Sequence, residues 1–75
     1  MNQSSKDARL KLRKATRTEF ERLVYEAMLT PVQEHIIRLH VAQGISIACI
    51  ATRLAMSDAC VRKRLCESYE KIAKV

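Results

Sequence analysis

Tryptophan is absent, and Phe20, Tyr25 and Tyr69 are the only aromatic residues, 4% of a 75-residue chain. So few rings leave little on which unpaired bases can stack, which excludes a single-strand nucleic-acid platform. One glycine and one proline cannot punctuate a many-turned β-sandwich, nor do they suit a collagen-like or linker composition. No apolar run is long enough to span a bilayer, and the stretch Met1-Asn2-Gln3-Ser4-Ser5-Lys6 holds no apolar signal segment. A cytoplasmic protein without a membrane partner is therefore expected. A Gly-rich phosphate loop, a His beside a nucleophile pattern and paired carboxylates facing a pocket are also missing, so an enzyme is not expected. Cys49, Cys60 and Cys66 form an odd set without a CxxC pair and read as reduced thiols acting as small apolar residues. Their spacing to His35 and His40 matches no familiar zinc pattern, so neither a metal nor another cofactor is expected.

What the chain does have is apolar side chains, at 48%, and positive charge, at +6. The first is too much for a disordered tail, and the length suits one small domain. The second points towards a polyanion. The charge is unevenly placed. Lys6, Arg9, Lys11, Arg13, Lys14 and Arg17 face only Asp7 near the start, while Thr18 to Gln43 is acidic in balance. Positive charge returns after Gly44, with Arg62-Lys63-Arg64 as its densest cluster.

Punctuation and periodicity predict an all-α domain of four helices, over about 17–28, 31–43, 46–55 and 57–73, preceded by a basic arm or helix extension over 1–16. In the arm, Leu10 and Leu12 share no consistent stripe. Thr18-Glu19-Phe20-Glu21 reads as a capping box, with Phe20, Leu23, Val24 and Ala27 recurring at helical spacing. Thr30 and Pro31 open the second helix and Gly44 suits a left-handed exit, with Val32, Ile36, Leu39 and Gln43 on one face. Ser46 caps the third, whose Ile47, Ile50, Ala51 and Leu54 face one way. Ser57 caps the fourth, where Val61, Leu65, Tyr69 and Ile72 point inward. Two short helices joined by so brief a turn carry the signature of a helix-turn-helix.

On the last helix Ala59 and Lys63 lie nearly opposite the apolar stripe, with Asp58 and Arg62 on one edge and Arg64 on the other. Long donors there suit guanine O6 and N7, and a small residue suits close approach or a thymine methyl. The candidate base-reading set is Asp58, Ala59, Arg62 and Lys63, although Asp58 also favours the helix dipole at that end. Ser46 and Ser57 are helix caps first. Their neighbouring amides, together with Arg53 and Arg64, are candidates for holding phosphates, as are Lys11 and Arg13 of the arm.

Leu29-Thr30-Pro31, Ile36-Ile37-x-Leu39, Gly44-Ile45-Ser46-x-x-x-Ile50-Ala51, Leu54, Met56-Ser57 and Val61-Arg62-Lys63-Arg64-Leu65 together resemble the fourth region of sigma factors of the extracytoplasmic-function type. The LuxR/GerE-type DNA-binding domain is similar, and Tyr69-Glu70-Lys71-Ile72 looks like the end of its motif. The LuxR-type pattern is one residue shorter between Leu29 and Gly44. The resemblance covers 29–73. It implies recognition of an upstream promoter element by Asp58, Ala59, Arg62 and Lys63, and a contact with RNA polymerase. It also implies phosphate contacts at positions Val32, His40 and Ser46; valine cannot make one, and His40 has a competing reading as a hydrogen-bonded, partly buried side chain. Where Ala55 stands the family pattern carries Gly, and a left-handed Ala costs about 1 kcal/mol.

The expected function is therefore sequence-specific binding of double-stranded DNA by a small transcriptional regulator reading the major groove with helix 57–73. A module of this size buries little surface alone, so a homodimer is expected, with Tyr25 and Met28 among the candidate contacts. The alternative is a protein-interaction module, a sigma mimic or adaptor that binds RNA polymerase or another regulator.

Overall fold

The computed structural model describes residues 3–75, with side chains from Asp7 onward. It is all-helical, with no strand among the described residues. Five α-helices follow in order: α1 Gln3–Lys14, α2 Arg17–Ala27, α3 Pro31–Ile37, α4 Ile47–Leu54 and α5 Asp58–Ala73. α3 runs on without a break into a π turn, Arg38–Ala42. α5 is the hub, packing against α1, α2, α3 and α4 alike. Its Val61, Leu65, Tyr69 and Ile72 are buried at the expected spacing, joined by Ser68, whose Oγ donates to the Arg64 carbonyl at 2.7 Å.

The basic arm or helix extension expected over 1–16 is neither an arm nor a continuation of α2 over its described residues. Residues 3–14 form a helix of their own, docked on α5, and Ala8 and Leu12 are buried in the common core with Ala15 packed against it. The stripe is Ala8, Leu12 and Ala15, at i, i+4 and i+7; Leu10 lies off it and is 52% exposed. Two of these three residues are alanines, which is why a search for large apolar residues misses the pattern.

α2 starts at Arg17 as expected, but its N-cap lies two residues before the expected box. The N-cap is Thr16, whose Oγ1 accepts from Glu19 N–H at 3.2 Å, so the cap is Thr16-x-x-Glu19 and not Thr18-x-x-Glu21. Phe20, Leu23, Val24 and Ala27 are buried as their spacing predicts. α3 opens on the capping box that Thr30 and Pro31 announce, with Gln33 as the reciprocal partner.

The face of α3 differs from the expected one. Val32 is exposed, Gln33 is buried, and Ile36, Ile37 and Leu39 fill the core. The π turn explains the end of this face. Gln43 N–H donates to the Arg38 carbonyl five residues back, which adds a residue to the turn and carries Gln43 out to solvent. Gly44 then leaves with φ 69°, the left-handed exit that favours glycine.

Two other residues share that conformation without being glycine, Met28 at φ 52° and Ala55 at φ 55°. Ala55 ends α4 in a full Schellman arrangement: its N–H donates to Thr52 O, and Met56 N–H donates to Ala51 O at 2.9 Å. The turn has the geometry a Gly would supply, and the satisfied carbonyls offset the strain of a Cβ.

Candidate nucleic-acid interface

Ser46 and Ser57 set the two ends of the α4–α5 unit. Ser46 Oγ accepts from Cys49 N–H at 3.2 Å, and Ser57 Oγ accepts from Cys60 N–H at 3.1 Å. Each hydroxyl satisfies one orphan amide of the helix it opens and remains exposed, so its own hydrogen is left to a partner. Between them, Ala55-Met56-Ser57 turns the chain so that α5 begins against α4.

The buried stripe on α5 forces the opposite side outward. Asp58, Ala59, Arg62 and Lys63 are all exposed, and neither Arg62 nor Lys63 is held in an ion pair among the described residues. Asp58 lies in the first turn of α5, where a carboxylate favours the positive end of the helix dipole. Arg53 is exposed in the last turn of α4.

Arg64 is arranged differently. Its Nη1 donates to Glu67 Oε1 at 2.9 Å, and Glu67 also accepts from Gln33 Nε2 at 3.2 Å. Gln33 Oε1 in turn accepts from Lys71 Nζ at 2.9 Å and from the Thr30 amide. One buried amide thus links the N-cap of α3 to two turns of α5. The guanidinium of Arg64 holds the Glu67 carboxyl below its ordinary pKa, with the Gln33 amide adding to the effect, and Glu67 raises that of Arg64 in return. Glu67 and Lys71 therefore brace α5 against α3, and Arg64 is tied to that brace through Glu67, which competes with any role on a phosphate.

His40 sits half-buried in the π turn with Nδ1 at 2.8 Å from the Ile45 carbonyl. A carbonyl only accepts, so Nδ1 carries the hydrogen and Nε2 is the nitrogen left over. Lys11 and Arg13 are exposed on a folded helix rather than on a loose arm. The docking of α1 brings Arg9 and Arg13 beside His40 and Tyr69, and Arg9 beside Arg62. Burial raises the Tyr69 hydroxyl pKa, while the charges of Arg9 and Arg13 pull it the other way. Arg9 is the residue that a motif search passes over. Its signal is the i, i+4 relation to Arg13, legible only once residues 3–14 are known to be helical.

On the far side, Arg38 joins α3 to α2. Its Nη1 and Nη2 donate to the two carboxylate oxygens of Glu21, each at 2.7 Å, and it lies 6.0 Å from the Phe20 ring centre. That pair holds the Glu21 carboxyl low and the Arg38 guanidinium high. The acidic stretch is thereby partly spent inside the domain. Beyond it, Tyr25 and Met28 stand 84% and 82% exposed, with Val32 at 47%.

The cysteines are free thiols, Cys49 and Cys66 exposed and Cys60 half-buried. No group of three His, Cys, Asp or Glu side chains comes together to hold a metal among the described residues. No helix is long and apolar enough to cross a membrane among them. Against known proteins, the chain matches no family model, no curated protein and no solved structure.

Proposed function

We propose that the chain binds double-stranded DNA sequence-specifically as a transcriptional regulator, with α4 and α5 acting as a helix-turn-helix and α5 as the helix that enters the major groove. One observation carries this reading: the leading turns of α5 present Asp58, Ala59, Arg62 and Lys63 to solvent, Ala59 and Lys63 opposite the core and Asp58 and Arg62 along one edge, with neither cation in an ion pair among the described residues. A groove-reading helix needs that surface, with long donors for purine edges and a small residue that permits close approach. The capped start of α4, with exposed Ser46, and exposed Arg53, Lys11 and Arg13 supply donors and charge suited to phosphates. The resemblance to the fourth sigma region and to the LuxR/GerE-type domain points the same way.

The experiment is a selection from randomised duplex DNA at several salt concentrations, followed by titration of the enriched and scrambled duplexes. A preferred sequence and a linear fall of log affinity with log salt, about −0.9 per phosphate neutralised, are expected. Equal affinity for all duplexes by both wild type and the Arg62→Ala, Lys63→Ala double variant overturns the reading.

A second reading rests on the exposed corner of α2 and α3. Tyr25 and Met28, beside Leu29, form an apolar surface that DNA has no use for. It suits a second copy of the chain or a protein surface such as RNA polymerase. Sedimentation of the wild type and of Tyr25→Ser separates these, since a dimer built there becomes a monomer in the variant.

A further inference from the structure

α1 and α5 do not close completely along one side. Two adjoining cavities open there, of about 390 and 290 Å³, and Arg9, His40 and Tyr69 line both. They form a single groove between α1, the π turn and α5. Its larger half has an apolar floor of Ile47, Leu65 and Tyr69, with Arg62 and Cys66 on the outer wall. Its smaller half adds Arg13, Val41 and Gly44. Among the described residues, no Asp or Glu lines either half. Among known small-molecule sites this size is ordinary, roughly 300–1,000 Å³.

We infer that this groove binds a small amphipathic anion, a carboxylate or phosphate monoester on a short hydrocarbon body. Arg62 anchors the head group, since it makes no ion pair among the described residues. Arg13 and the Nε2 of His40 add to the attraction, and Arg9, already engaged with the Tyr69 hydroxyl, adds only its charge. The hydrocarbon lies on Ile47, Leu65 and the Tyr69 ring, and there it gains by leaving water. Inorganic phosphate or a DNA backbone would satisfy the cations and leave that floor uncovered, which is why the occupant must have both parts. A bound ligand takes the guanidinium that the leading edge offers to a base, so ligand and duplex exclude one another. This last step rests on the DNA-binding reading above, and by linkage the exclusion is reciprocal.

The test uses the full chain with octanoate, octyl phosphate, octanol and inorganic phosphate, followed by amide chemical-shift mapping. Saturable shifts with octanoate or octyl phosphate, centred on Arg9, His40, Cys66 and Tyr69, are expected, and the stronger of the two identifies the head group. Arg62→Ala should weaken binding about tenfold, the order lost with one charge-assisted hydrogen bond. Cys66→Phe, at an exposed position on the wall, should weaken it at least as much. Equal binding of octanol, equal binding of inorganic phosphate, or shifts centred on Tyr25 and Met28 overturns the inference. For the regulatory step, the preferred anion should lower duplex affinity of the wild type about tenfold and leave Cys66→Phe unaffected. Binding in the groove with no change in duplex affinity overturns the exclusion alone, whereas failure of the ligand-free chain to bind any duplex overturns the DNA reading and leaves the groove standing.

Discussion

Arg62 and Lys63 stand in solvent with no ion pair among the described residues, whereas Arg64, one position on, is held by Glu67 and through it by the buried Gln33. The three are consecutive in sequence and chemically alike. What separates them is the 100° step of the helix, which points Lys63 away from the core and leaves the other two on its edges, Arg62 towards Arg9 of α1 and Arg64 towards Glu67. A cluster of basic residues is therefore not one surface. The outward flank of α5 is available to a partner, and the flank against α3, like the seam with α1, holds the domain together.

The sharpest way to break that contrast is on the seam. Leu12→Ala should cost about 2–5 kcal/mol of stability, read by urea unfolding, because it removes a buried side chain. A loose arm would make the same change nearly silent.

On the outward flank the expectation reverses. Arg62→Ala and Lys63→Ala should each cost about 1–3 kcal/mol on the preferred duplex and relax its base preference, with the unfolding midpoint unchanged. Arg64→Ala should instead lower the midpoint and leave the base preference unchanged. Parallel DNA titrations and thermal melts of the three variants check this.

Smaller effects belong to the helix ends. Gly44→Ala should destabilise by up to about 1 kcal/mol, the cost of a Cβ at positive φ, although nothing crowds the position. Ala55→Gly removes a strain of that kind at the end of α4 and adds freedom to the unfolded chain, so its net effect should be smaller and stabilising. Calorimetry of the pair measures both signs.

The smallest effect is acid sensitivity. Glu67 and Glu21 are held below their ordinary value of 4.5 by Arg64 and Arg38. A depressed carboxylate contributes stability that is complete above its unfolded pKa and is lost as pH falls through the folded one. The melting temperature should therefore fall as pH drops below about 4.5, and less steeply in Glu67→Gln.

Much of this was legible beforehand where one residue decides a local geometry. Thr30, Ser46 and Ser57 cap the helices they announce, and Gly44 takes the left-handed exit. The α5 stripe and its outward residues follow from spacing alone. What escaped reading depended on other elements. Ala8 is too small to mark a core face until α5 is there to cover it. Buried Gln33 breaks the apolar pattern because its amide is satisfied by Glu67 and Lys71, more than thirty residues away. The pairing of Arg64 and the groove beside Arg62 arise only from assembly.

The π turn at Arg38–Ala42 has a consequence for chain length. A turn closed five residues back instead of four accommodates one surplus residue between fixed ends. A chain one residue shorter between Leu29 and Gly44 could cross the same distance as plain α-helix and deliver Ile45 and α4 to the same place. The span is thus a tolerance joint, and domains differing there by a single insertion can keep one core.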